Sequence, residues 1–263
     1  MRSTITLAVL VAGMLVSIVA SGHPEDEFCT PGEDGMDPAL CAALAELDSA
    51  EGDLNQTELT PLLDDSGEER GFWSTVALYI GIGIRHILPD GADHILFVLA
   101  IFLASTRLRA LVIQISAFTV AHTATLALAA SGAVTPSSSL VEAMIALTIA
   151  FVAIENLIFT DMTRWRPVVV FGFGLVHGLG FAGFFGELGL PPGQFWSALA
   201  GFNIGVEIGQ LSVVALAFAL GLSLRRNLHD LAGATRYRQM VVRPGSLLIG
   251  VIGLWWFISR LMS

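Results

Sequence analysis

From Gly71 onward the chain is dominated by apolar stretches, 109–131, 139–159, 167–186, 196–222 and 245–262. Each is close to the roughly 20 helical residues that cross a hydrocarbon layer about 30 Å thick. Inside lipid a backbone must satisfy its own amides and carbonyls, so runs of this kind fold as helices. The sequence therefore predicts an all-α, polytopic bundle of transmembrane helices over residues 71–263. Composition agrees: 14% of residues are charged and the mean hydropathy is +0.72, whereas soluble domains are about 25% charged. A soluble enzyme is excluded, and with no basic stripe so is a nucleic-acid-binding protein.

The net charge of −10 is local, because 15 of the 23 acids fall within residues 25–69, a stretch without Lys or Arg. Ahead of it, residues 1–22 have a basic start at Arg2, an apolar run and small residues at Ala20 and Gly22, the pattern of a signal peptide. Cleavage after Gly22 makes His23 the new N-terminus; an uncleaved anchor is the alternative. Either one puts residues 23–70 outside the cytoplasm as a small acidic segment. Cys29 and Cys41 both fall there, where an oxidising compartment favours a disulfide over a thiolate metal site. The stretch opened by Asp48 and closed by Glu58 resembles a calcium loop, but is one residue short of the usual twelve. A solvated acidic cap is the preferred reading of the segment.

All 13 basic residues are arginines, and arginine-bearing connections mark the cytoplasmic side. Arg107 and Arg109, then Arg164 and Arg166, then Arg225, Arg226, Arg236, Arg238 and Arg243 occupy successive connections on one side. Residues 71–106 must then cross an odd number of times, yet 36 helical residues would span about 54 Å. The sequence ILPDGADH interrupts them. One crossing helix with a re-entrant or interfacial half-helix, broken at Pro89 and Gly91, is the economical solution, and such breaks are tolerated where protein or a polar cavity answers the freed backbone. About six crossings result, in a bacterial inner membrane, with both the N-terminal segment and the C-terminus extracytoplasmic.

His86, His94, His122 and His177, with Asp93, Glu142, Glu155 and Glu207, fall in or beside these spans. A charge at the centre of a span is unfavourable by about 2.5–3.5 kcal/mol on insertion scales, so each such group calls for a partner or a cavity. Ser116, Thr119, His122 and Thr123 share one helix face by i, i+3 and i+4 spacing, as do Asn203, Glu207 and Gln210. Gly201, Gly205 and Gly209 form GxxxGxxxG, and His177 sits among Gly172, Gly174, Gly178, Gly180 and Gly183; both patterns let a neighbouring backbone approach closely. The expectation is one interior site of His86, Asp93, His94, His122, His177 and Glu207, with Glu142 and Glu155 outside it. Imidazole and carboxylate suit Ni²⁺, Co²⁺ or Zn²⁺, as ligand or cargo, and no thiolate is present in the spans for copper(I). A proton relay through the same histidines is the alternative chemistry.

At these residues the chain resembles the HupE/UreJ family of hydrogenase and urease accessory membrane proteins, regarded as nickel permeases. The resemblance runs through HILPDGADHILFVLAIFLAS, AFTVAHTATLALA, VEAMIALTIAFVAIENL, FGFGLVHGLGFA and ALAGFNIGVEIGQL. The family's first motif, a histidine followed by an Asp-His pair, maps onto His86, Asp93 and His94, with six intervening residues where the nickel-permease form has five. Its second, FHGxxHGxE, is matched by His177 and Gly178, while Phe173 stands for the first histidine and Gly180 for the glutamate. The chain thus resembles a divergent branch. The family has an exported N-terminus, often with a histidine just after the signal peptide, as His23 would be.

Three functions follow from these observations. The leading one is a membrane permease or metal-binding protein for a divalent transition metal, Ni²⁺ or Co²⁺ foremost, not an enzyme, whose partners are the bilayer, the ion and the proteins that mature metalloenzymes. The others are an intramembrane zinc hydrolase and a non-catalytic assembly protein. The arginine argument makes one direct prediction: a cysteine introduced at Tyr237 is labelled from the cytoplasm and protected from the periplasm. Periplasmic labelling there would reverse the topology.

Overall fold

A computed structural model of the chain describes residues 70–105, 107–160, 163–180, 193–226 and 237–262. The signal peptide, the Cys29–Cys41 disulfide and the calcium-like stretch from Asp48 to Glu58 lie outside the described residues. Among the described residues the chain is all helical, with no strand. The helices are α1 (Phe72–Ile87), α2 (Ala92–Ala104), α3 (Leu108–Ala130), α4 (Ser138–Ile158), α5 (Arg166–Gly180), α6 (Phe195–Arg226) and α7 (Arg243–Met262). A π-helical turn, Arg238–Val242, leads into α7.

Four segments are long and apolar enough to cross a membrane: α3, α4, α6 as far as Gly221, and α7 with its π-turn. α5 is shorter, at 15 residues, and residues 181–186 of the span expected there are not among those described. α1 and α2 form a pair bent by 71°. Exposed side chains such as Ile113, Val120, Leu216 and Val251 are as apolar as the buried ones, which suits a surface solvated by lipid.

The bend arises where the sequence breaks. Proline has no amide to continue a helix, and its ring opposes the preceding turn. The freed groups are answered locally: Leu88 N donates to Ile84 O at 2.8 Å, Ala92 N to Asp90 O at 3.1 Å and Ile95 N to Gly91 O at 2.9 Å. Any side chain at Gly91 would meet the carbonyl of His86, so the turn closes tightly enough to set the two half-helices end to end.

The principal packing pairs are α1 with α6, α4 with α7, and α3 with α5. The first rests on the glycine ridge of α6. A Cβ at Gly201 would lie 2.5 Å from Val76 O, one at Gly205 would collide with Ile80 O, and one at Gly209 would lie 2.7 Å from the Ile87 Cβ. The α3–α5 pair repeats the device, with Gly174 against Phe118 O and Gly178 against His122 O. Gly172 departs from the expectation of close packing, since a Cβ there meets nothing within 4 Å.

The arginine-bearing end is tied together by polar contacts. Arg166, expected in a connecting loop, is buried at 3% exposure; it pairs with Glu155 at 3.3 Å and donates to Asn156 Oδ1 at 3.1 Å. Arg238 also differs from expectation, because the last helical segment starts at this residue and not at 245. Its guanidinium donates to Asn156 O at 3.0 Å and Phe159 O at 2.6 Å, carbonyls that the end of α4 leaves without intrahelical partners. Asn156 Nδ2 in turn donates to Ala100 O at 2.7 Å, joining α2 to α4.

The glycine contacts generate a stability prediction. Gly205→Leu drives a side chain into the α1 backbone and should destabilise the purified protein by about 1–3 kcal/mol or more, read as a lower Tm in detergent. Gly172→Ala, at an open position, should leave Tm unchanged.

Candidate metal centre

The break at Pro89 and Gly91 puts His86 in the last turn of α1 and Asp93 in the first turn of α2. The ring centroids of His86 and His94 are 4.8 Å apart. Asp93 suits its place, because the N-terminal end of a helix carries partial positive charge. Its Oδ1 accepts from the His94 backbone N at 2.8 Å and from His94 Nδ1 at 3.0 Å. A hydrogen on Nδ1 leaves the lone pair on Nε2, the arrangement by which a carboxylate orients a metal-ligating imidazole.

His122 comes from α3, with its ring 5.8 Å from that of His94 and 6.3 Å from that of His86. His177 comes from α5, 5.1 Å from His94. The Nε2 of His177 is 2.9 Å from Thr148 Oγ1, and the Thr148 hydroxyl donates to Ile145 O at 2.7 Å. With its single proton committed there, Thr148 accepts from His177 Nε2–H, which leaves the His177 lone pair on Nδ1. Thr148 was not among the expected site residues. Its only sequence signal is a hydroxyl in the otherwise apolar run of α4.

Two triads result, His86–His94–His122 and Asp93–His94–His177, in each of which one ligand atom per residue lies within 4.8 Å of the others. His94 belongs to both. His94, His122 and His177 are at most 2% exposed, and His94 Nε2 and His177 Nδ1 are buried without a hydrogen-bond partner. An orphaned buried acceptor is unfavourable by about 1–3 kcal/mol, and two on rings of one cluster fit a ligand that accepts lone pairs. Borderline divalent ions such as Ni²⁺, Co²⁺ and Zn²⁺ are ligands of that kind.

Aromatic rings enclose the cluster. Phe118 and Phe97 lie 5.0 and 5.2 Å from His177, and Phe202 lies 5.5 Å from His86. Phe173, at the family's histidine position, extends this wall at 6.1 Å from Phe97 and 5.5 Å from Phe151. At Gly180, the family's glutamate position, a Cβ would lie 2.6 Å from the Ile145 Cδ1. Gly180 is itself exposed, so a longer side chain there would displace only the end of the Ile145 side chain.

Glu207 falls outside both triads. It accepts from Ser116 Oγ at 2.7 Å and lies 2.5 Å from Thr119 Oγ1, joining the polar faces of α3 and α6. Glu142 and Glu155 pair with arginines, Glu142 with Arg260 at 3.8 Å and Glu155 with Arg166 as above.

Compared with known proteins, the chain matches no curated protein and no solved structure. A family model described as HupE / UreJ protein matches residues 64–260, which takes in α1 to α6, all but the last two residues of α7, and each of the five residues of the two triads. The chain belongs to the HupE/UreJ family.

Proposed function

We propose that this protein is a permease, or a metal-holding membrane protein, for a divalent transition metal, with Ni²⁺ or Co²⁺ the leading cargo. The observation that carries this reading is the meeting of half-buried His86 and Asp93 with buried His94, His122 and His177, from four helices, with ligand atoms of each triad within 4.8 Å of one another. Membership of the HupE/UreJ family supports it. In this reading the α1–α2 pair is one broken crossing of a bacterial inner membrane. Six crossings follow, with residues 23–70 and the C-terminus outside.

Each residue has a part in handling the ion. Asp93 holds His94 in the tautomer that presents Nε2 and supplies negative charge near a dication; Thr148 does the first of these for His177. His86 and His122 complete a nitrogen-rich set, and the phenylalanines keep water from competing for the ligands. Broken helices at the ends of two half-spans are a common way to build a transport site at depth. Released on the arginine-bearing side, the ion would pass to proteins that mature metalloenzymes.

Equilibrium binding of Ni²⁺, Co²⁺ and Zn²⁺ to the purified full-length protein tests this, together with metal uptake by intact cells. His94→Ala removes the residue common to both triads and should abolish high-affinity binding and uptake. Thr148→Val keeps every ligand but frees the His177 ring, and should weaken binding by about 10–100-fold. Unchanged metal content in both His94→Ala and His177→Ala would overturn the reading.

A further inference from the structure

At the arginine-bearing end of the bundle a cleft opens between four elements. Ala104 lines it from α2, Asn156 and Phe159 from the end of α4, Arg166 from α5 and Arg238 from the π-helical turn. Glu155 also borders it and is engaged on both oxygens, by Arg166 at 3.3 Å and by Thr163 Oγ1 at 3.2 Å. Neither histidine triad uses any of these residues.

A guanidinium is a donor on all three of its nitrogens. In Arg166, which is 3% exposed, Nη1 faces Glu155 and Nη2 donates to Asn156 Oδ1. Its Nε is buried and has no hydrogen-bond partner among the described residues. A buried donor left in that state is unfavourable, and in the wall of a cleft it calls for an acceptor. Arg238, half-buried beside it, donates to the carbonyls of Asn156, Phe159 and Thr160, so its contacts among the described residues are with neutral groups. The surroundings add to the positive charge. Arg107, Arg109, Arg164 and Arg243 stand exposed at the same end, where Glu155 is the one acid among the described residues.

We propose that this cleft binds the phosphate of an anionic phospholipid, with Arg166 Nε as the buried donor and Arg238 as the neighbouring charge. Trp165, next to Arg166 and exposed, marks the level, because tryptophan is enriched where a bilayer meets water. Ile158 and Phe159 are exposed beside the cleft and offer apolar surface to the acyl chains. Basic pockets between transmembrane helices are a recurrent way of holding anionic headgroups. Water would answer Nε alone and leave the positive charge; a phosphate oxygen answers both, through the stronger charge-assisted bond. A headgroup held here touches α2, α4, α5 and the π-helical turn at once, so it fastens the ends of four elements. Lipid binding is independent of the metal site and needs only that the helices lie in a bilayer.

The full-length protein, delipidated in a neutral detergent, is titrated with phosphatidylglycerol, with phosphatidylcholine of the same acyl chains, and with inorganic phosphate. Native mass spectrometry counts bound lipid, and Tm reports stabilisation. Phosphatidylglycerol should bind in preference to phosphatidylcholine and raise Tm, and inorganic phosphate at equal concentration should not. Arg238→Gln should weaken phosphatidylglycerol binding about fivefold or more. Ala104→Leu keeps every charge but fills the cleft, and should weaken it as much. Arg109→Gln, which removes the same charge outside the cleft, should have a smaller effect. Equal binding of the two lipids would overturn the proposal, as would stabilisation by phosphate equal to that by phosphatidylglycerol, which would make the ligand a soluble anion. So would an Arg109→Gln effect as large as that of Arg238→Gln, which would reduce the attraction to general surface charge. If neither lipid nor phosphate binds, the cleft holds only water and the proposal fails. Should Arg238→Gln not fold, Ala104→Leu decides, and wild-type lipid affinity in that variant would count against the site.

Discussion

The positions of the His86, His122 and His177 rings depend on two unusually close helix contacts. On α6, Gly201 and Gly205 accept the carbonyls of Val76 and Ile80 of α1, and on α5, Gly174 and Gly178 accept those of Phe118 and His122 of α3. Helices in lipid gain little from burying apolar surface against each other, so small residues that admit close backbone packing do much of the work of association. The residues beside these glycines form the site. Phe202 precedes Asn203 on α6 and lies against His86, while His177 directly precedes Gly178. Moving either contact outward by one side chain would widen ring separations that now run from 4.8 to 6.3 Å.

The break between α1 and α2 adds what straight helices could not. A continuous helix would set His86 and His94 eight residues apart, about 12 Å along one axis. The 71° bend brings their rings to 4.8 Å. It also places the end of one half-helix and the start of another at the cluster, so that Asp93 meets the partial positive charge of an N-terminus. The amides of Leu88, Asp90, Ala92 and Ile95 find carbonyl partners within residues 84–95, and partners of this kind are what irregular chain needs inside an apolar layer.

The helices themselves were legible because length and hydropathy act locally; the starts and ends of α3 and α4 fall one residue from those expected. The break was legible because Pro89, Asp90 and Gly91 are turn-forming residues. Arg166 and Arg238 were harder, since both look like loop charges. Arg166 is buried by an acid eleven residues earlier, across the α4–α5 turn, and Arg238 is ordered by carbonyls of α4, a partnership that leaves no periodic trace. The histidines stood out through the unfavourable energy of polar groups in lipid. Thr148 did not, because a threonine in an apolar run needs only its own helix to satisfy it. Nor did the ring wall of Phe97, Phe118 and Phe202, because an aromatic side chain reads alike whether it faces lipid, core or ligand.

The departures at Phe173 and Gly180 define what kind of site remains. With an aromatic ring in one motif position and a glycine packed on Ile145 in the other, the cluster holds four imidazoles and one carboxylate, and that carboxylate is already engaged by His94. His94 is shared between the two triads, so a single ion drawn fully into one deprives the other of its central ligand. Shared ligands of this kind suit a site that must accept an ion and let it go, because moving from one triad to the other exchanges some nitrogens for others without passing through a bare ion. Within the proposed function, the divergent motif is then a change in how tightly the ion is held, with Asp93 and Thr148 fixing the imidazole tautomers on either side of that exchange.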